Sequence, residues 1–183
     1  MPNLNDLPLA QIATDAIQKV FSTMVSIELE KTEYVPDAVG WAGRRFAGSI
    51  GLGGRVSGLI CVYLPEDLAR QAAVAMLGMP PEDASPEDMS DILSELCNMI
   101  GGTIKSRLSD EGFSCELSLP SVMHGRNFRI ETPGFSSGRA IEAAFRHDVH
   151  LVRISLALRE DAGEGRRAWR LGGASASAKP GPP

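Results

Sequence analysis

A chain of 183 residues has the length of one domain able to bury a core, and 43% hydrophobic with 22% charged residues is a globular balance, not a disordered one. A net charge of -5 disfavours nucleic acid as a partner, because phosphate contacts need a concentrated basic surface. No apolar run nears the ~20 residues that span a bilayer, which disfavours a membrane protein.

The opening "MPNLNDLPLAQ" lacks the basic flank and long apolar stretch of a secretory signal, so the cytoplasm is the expected compartment. Leu9, Ile12, Ala13, Ala16, Ile17, Val20, Phe21 and Met24 recur at helical spacing and predict an amphipathic helix over 9–24. "VSIELEKTEYV" alternates apolar and polar like a strand until Pro36. "RRFAGSIGLGGRVSGLICVYLP" reads as a hairpin with its turn at Gly53-Gly54. "PEDLARQAAVAMLG" is helical, with Pro65 near its first turn and Gly78 as its stop. After a Pro-rich acidic connector, Ser85-Pro86-Glu87-Asp88 combines a hydroxyl cap, a first-position proline and acids suited to a helix N-terminus. The helix it starts runs to about Leu108. "FSCELSLP", "FRIET", "RAIEAAFRH" and "VHLVRISLALRE" are strand-like, with a tight turn at His147-Asp148 between the last two. Beyond Glu160 the chain turns to Gly, Ala, Ser, Arg and Pro. This predicts a domain over 1–160 and a disordered tail over 161–183. Three helices and about seven strands, rich in hairpins, give an α+β domain with a mainly antiparallel sheet covered by helices on one face.

Several candidate sites fail on chemistry. Cys61, Cys97 and Cys115 are an odd, widely spaced set in apolar surroundings, which reads as core thiols in a reducing compartment. "GLGGRVSG" has Val56 where a dinucleotide fingerprint needs its third glycine, and a strand follows where a helix should. It is a hairpin turn. His147 and His150, three apart on a strand, would point to opposite faces, and only His124 remains to help, so no metal site is expected. No serine or cysteine sits in a nucleophile motif.

The segment "DILSELCNMIGGTIKSRL" stands apart. Asp91, Glu95, Asn98 and Gly102 fall at i, i+4, i+7 and i+11, one narrow polar stripe. Ile92, Leu93, Leu96, Cys97, Met99, Ile100 and Ile104 occupy the core side. Gly101 and Gly102 each cost about 1 kcal/mol relative to alanine within a helix. Either another backbone comes close there, or the face is simply solvated and the glycines pack against a neighbouring strand; composition alone favours the second reading.

This segment, preceded by "AVAMLG" and an acidic linker, resembles the phosphatase helix of the CheC/CheX/FliY family of bacterial chemotaxis proteins. That family's pattern is Asp or Ser, Glu four residues on, Asn three further, and Pro somewhat over twenty beyond. Asp91, Glu95, Asn98 and Pro120 fit it. "SLPSVMHGRNF" and "FSTMVSIELE" resemble CheX flanks, and the likeness spans about 9–159. A second motif copy, typical of CheC, is missing from the first helix, where Lys19 and Ser22 follow Asp15, so the chain is most like CheX. The resemblance implies a CheX-like fold in which two long helices flank the sheet and one carries Glu95 and Asn98. It implies hydrolysis of the aspartyl phosphate of a phosphorylated CheY-type receiver. Asn98 would position the water and Glu95 would dock on the receiver's active-site lysine. Asp91 would be an outer contact or a helix-stabilising acid. As an inference from this chain and not from the resemblance, Gly101 and Gly102 would help keep the docking surface low, with Gly102 on the contact stripe. The protein would need no cofactor of its own, since Mg2+ belongs to the receiver, and would form a homodimer. The rival reading is a noncatalytic adaptor that uses the same helix to bind a receiver or a flagellar switch component.

Overall fold

The computed structural model describes residues 3–33, 43–126, 128, 130 and 138–161. Apart from Asp161, the expected tail therefore lies outside the described residues, as does most of the "FRIET" strand. The helices are α1 (Leu9–Met24), α2 (Glu66–Leu77) and α3 (Pro86–Asp110). The strands are β1 (Glu30–Thr32), β2 (Arg45–Gly54), β3 (Val56–Pro65), β4 (Cys115–Leu117), β5 (Ser121–Gly125), β6 (Arg139–His147) and β7 (His150–Glu160).

Local chemistry accounts for the helix boundaries. Gly78 ends α2 in the left-handed conformation at φ 65°, which glycine adopts without a Cβ penalty. Ser85 caps α3 through a capping box. Its Oγ accepts from the Asp88 N–H at 3.1 Å, and its own N–H donates to Asp88 Oδ2 at 2.9 Å. These bonds hold the Asp88 carboxyl below its ordinary pKa of 3.8.

All pairings are antiparallel, in the order β1-β6-β7-β3-β2-β4, with β5 also on β2. The pleat sorts the side chains. Phe46, Ile50 and Leu52 of β2, Ile60 and Val62 of β3, and Ile154 and Leu156 of β7 enter one continuous core with the buried faces of all three helices. The opposite face carries a smaller cluster of Ala47, Cys61 and Tyr63, with Leu59, Phe128 and Ile130 against it. Arg153 lies 4.0 Å over the Tyr63 ring, and burial pushes the Tyr63 hydroxyl up to about 12.

Three expectations change. Among the described residues of "VSIELEKTEYV", only Glu30–Thr32 pair. Val25, Ile27 and Leu29 are buried, but Ser26 turns the chain at φ 54° and the Ile27 N–H returns to the Phe21 carbonyl at 3.2 Å. Their alternation reports burial without a neighbouring strand. The hairpin forms, but Gly53 and Gly54 end β2 paired with Glu116 and Cys115, and the bend falls one residue later, at Arg55; Gly54 is needed for another reason. At φ 152°, a Cβ on it would lie 2.8 Å from the Ser114 carbonyl oxygen. Finally, His147 and His150 do not lie three apart on one strand. They are paired partners across the Asp148-Val149 turn, so the premise that their rings diverge fails. His147 Nδ1 lies 3.1 Å from the Glu28 carbonyl oxygen, and among the described residues no three His, Cys, Asp or Glu side chains group closely enough to hold a metal.

β4 and β5 form one interrupted strand along the outer edge of β2. Leu52 pairs with Leu117, and Ser49 pairs with Ser121. Gly51 lies opposite Ser118, donating to its Oγ at 2.9 Å and accepting from its N–H at 2.9 Å. Ile50 alone therefore faces both Leu119 and Pro120. This is a one-residue β-bulge, and Pro120, with no N–H to offer a ladder, suits it.

Candidate functional site

α3 is seated by what lies beneath it. Met89, Ile92, Leu93, Leu96, Cys97, Ile100, Ile104 and Leu108 are buried, as the spacing predicts. Gly48 of β2 has no side chain, and a Cβ there would collide with Cys97 Sγ and come within 3.1 Å of Leu93 Cγ. That gap lets the helix rest directly on the strand. Burial pushes the Cys97 thiol up to about 12, so it packs as a neutral group. All three cysteines are free and buried.

The two glycines of α3 separate cleanly. Gly101 is buried, and a Cβ on it would lie 3.3 Å from Ile50 Cγ2 and 3.4 Å from Leu117 Cδ1. It packs against the sheet. A Cβ on Gly102 would meet nothing within 4 Å. The internal-packing reading thus holds for Gly101 and fails for Gly102.

Asp91, Glu95 and Asn98 are all exposed on the outer side of α3. Among the described residues, none of the three side chains has a hydrogen-bond or ion-pair partner. A carboxylate and a carboxamide one turn apart are thus held by a rigid helix and left available. A cleft lined by Asn3, Asn5, Gly138, Arg139, Arg159 and Glu160 draws nothing from α3.

The stripe overlooks one sheet edge. Lys105 of α3 forms an ion pair with Glu116 of β4. Asn98 is seven residues before Lys105, which places it within ~20° of the same side and about 10 Å back along the axis. α3 runs with β2, since Leu93 and Cys97 sit over Gly48 while Gly101 sits over Ile50. The edge strand runs the other way. Ten ångströms back along α3 is about three residues forward from Glu116. Asn98 is therefore level with Leu119 and Pro120, the bulge.

Sequence reasoning missed two residues here. Gly48 left a signal, a glycine inside an apolar strand, which often marks a close approach. Leu119 was read as part of a strand, in phase with Leu117, which contributes to the core. The bulge breaks that phase and leaves Leu119 89% exposed. Burying such a side chain is worth roughly 1.5–3 kcal/mol, and here that is forgone.

The family profile described as chemotaxis phosphatase CheX matches residues 46–144. The chain belongs to the CheX family. The matched stretch runs from β2 into β6 and contains Asp91, Glu95, Asn98, Gly102 and Pro120. Among solved structures, the chemotaxis protein CheX from Vibrio vulnificus is similar at 25% identity and a TM-score of 0.72, over 84% of this chain and 97% of that one. A CheC-like superfamily protein from a Shewanella species follows at 25% identity and 0.70, over 84% and 99%. A CheX from Borrelia burgdorferi, in complex with CheY, BeF3 and Mg2+, shares the fold at 21% identity and 0.68, over 87% and 100%. No curated protein matches the chain. The α+β architecture expected for a CheX family member is the one observed. Among the described residues, no helix is long and apolar enough to cross a membrane.

Proposed function

We propose that this CheX-family protein hydrolyses the aspartyl phosphate of a CheY-type receiver domain. The observation that carries the reading is the pair Glu95 and Asn98, exposed, without partners among the described residues and fixed on a helix anchored along the rest of its girth. The Borrelia relative, a CheX bound to CheY with BeF3 and Mg2+, supports the choice of substrate.

An aspartyl phosphate is already reactive, and the receiver supplies its own Mg2+ and a lysine that stabilise the transferring charge. What is left is to place a water in line with phosphorus, and catalysis of phosphoryl transfer is largely positioning and electrostatics. The Asn98 carbonyl oxygen accepts from that water while its amide group donates elsewhere. Water oxygen bonds to phosphorus, the phosphorus–oxygen bond to the aspartate breaks, and the products are inorganic phosphate and a free carboxylate. Glu95, one turn earlier, pairs with the receiver's lysine. Gly102 keeps the approach low, so that the short Asn side chain can reach, and Asp91 makes an outer contact. The same resemblance assigns a homodimer to the active form.

Asn98→Ala tests the reading. It should abolish accelerated phosphate release while leaving affinity for the receiver intact, because the group acts on the water. Undiminished release at saturating protein refutes the water-positioning role. A wild-type protein that binds the phosphorylated receiver without speeding its decay would be the adaptor instead.

A further inference from the structure

We propose that Leu119 is the apolar anchor with which this site docks its receiver, beside the ion pair made by Glu95. The inference rests on the phosphatase reading and adds to it the residue that fixes how the partner sits.

A single exposed leucine means little, since apolar side chains scattered on surfaces are normal. Leu119 differs in how it comes to be exposed. Two residues after Leu117, it would fall on the helix-facing side of a regular strand, opposite Ile50 and under α3. One extra residue ejects it. Bulges recur next to active sites, where they re-aim a side chain, and this one is held firmly. Ser118 Oγ takes the Gly51 N–H at 2.9 Å and donates to the Leu119 carbonyl at 2.8 Å. Pro120 fixes the following φ. The leucine thus pays little ordering entropy on binding.

Its position is equally specific. The bulge is level with Asn98 and lies on the flank of α3 that carries Asn98 and Lys105, with Gly102 and Glu95 further round toward solvent. A partner that brings its phosphorylated aspartate up to Asn98 therefore comes within reach of Leu119. The chemistry it must offer is an apolar patch beside a lysine and the phosphorylated aspartate. An apolar centre flanked by polar contacts is the usual anatomy of such an interface. Val149, 92% exposed on the β6–β7 turn, has none of this setting and serves as the control.

The test titrates CheY-type receivers of the same organism, loaded with beryllofluoride and Mg2+, against the wild type, Leu119→Ala, Leu119→Asp and Val149→Asp. Thermal unfolding and phosphate release at saturation are measured alongside. Leu119→Ala should raise Kd about tenfold or more, and Leu119→Asp further. Tm and saturated turnover should stay unchanged, and Val149→Asp should behave as wild type. Wild-type affinity in both Leu119 variants overturns the anchor while leaving the phosphatase reading standing. A fall in Tm that parallels the lost affinity also overturns it, because Leu119 would then be a packing residue. A wild-type protein that binds none of the receivers and accelerates none of their decay overturns the phosphatase reading and the anchor together.

Discussion

Replacing Gly102 by alanine should make the protein more stable, and replacing it by leucine should disarm it. Glycine inside a helix is about 0.8–1 kcal/mol less favourable than alanine. A Cβ at 102 meets no atom within 4 Å, so nothing in the fold offsets that gain. For a chain of this size, about 1 kcal/mol corresponds to a Tm rise of roughly 2–4 °C. Gly102→Leu should likewise not destabilise the fold, yet it places a bulky group where the receiver's backbone must pass. Gly101 supplies the contrast one residue away. A Cβ there already presses on Ile50 and Leu117 at 3.3–3.4 Å, so Gly101→Leu should overpack the core and cost about 1–3 kcal/mol. The assay is thermal unfolding combined with titration by the beryllofluoride-loaded receiver. Gly102→Ala with a lowered Tm would refute the open-space reasoning. Gly102→Leu with undiminished affinity would refute the close approach.

Glu95→Ala should weaken receiver binding as well as turnover, since removing one partner of a desolvated charge pair typically costs about 2–5 kcal/mol, or ~30-fold and upward in Kd; an unchanged Kd by titration would mean Glu95 docks nothing. Ser85→Ala should cost about 1 kcal/mol of stability by denaturant unfolding. Asp88, whose carboxyl Ser85 holds below its ordinary 3.8, adds a pH signature. A depressed folded pKa stabilises above the unfolded value, and that stabilisation is lost as pH falls through the folded one. The stability gap between wild type and Asp88→Asn should therefore close as pH drops below about 4, and a gap that persists in acid would contradict the box.

The parts of this fold that were legible in the sequence are those set by local chemistry. α1 occupies the residues its periodicity marks, α2 starts after Pro65 and stops at Gly78, and α3 starts at its Ser85-Pro86 signal. The stripe of Asp91, Glu95 and Asn98 was legible for the same reason, because 3.6-residue spacing separates the faces before any partner is known. What stayed hidden depends on neighbours distant in sequence. Val25, Ile27 and Leu29 alternate like a strand but meet no second strand. β5 has no alternation to mark it and exists through its pairing with β2. His147 and His150 share a pair because the turn falls between them, a matter of one residue. Which sheet edge the stripe overlooks required the Lys105–Glu116 pair.

The bulge also bears on how another strand could add to the sheet beside α3. An exposed edge strand offers a row of free N–H and C=O groups on which any other strand can grow, the usual seed of aggregation. Here, among the described residues, the outermost strand is cut into pieces of three and five residues. At the cut stands a proline with no hydrogen to give. A foreign strand laid along this edge would lose its ladder after two or three bonds. Among the described residues the edge beside α3 thus offers another strand only short runs, which favours a partner that engages it through side chains.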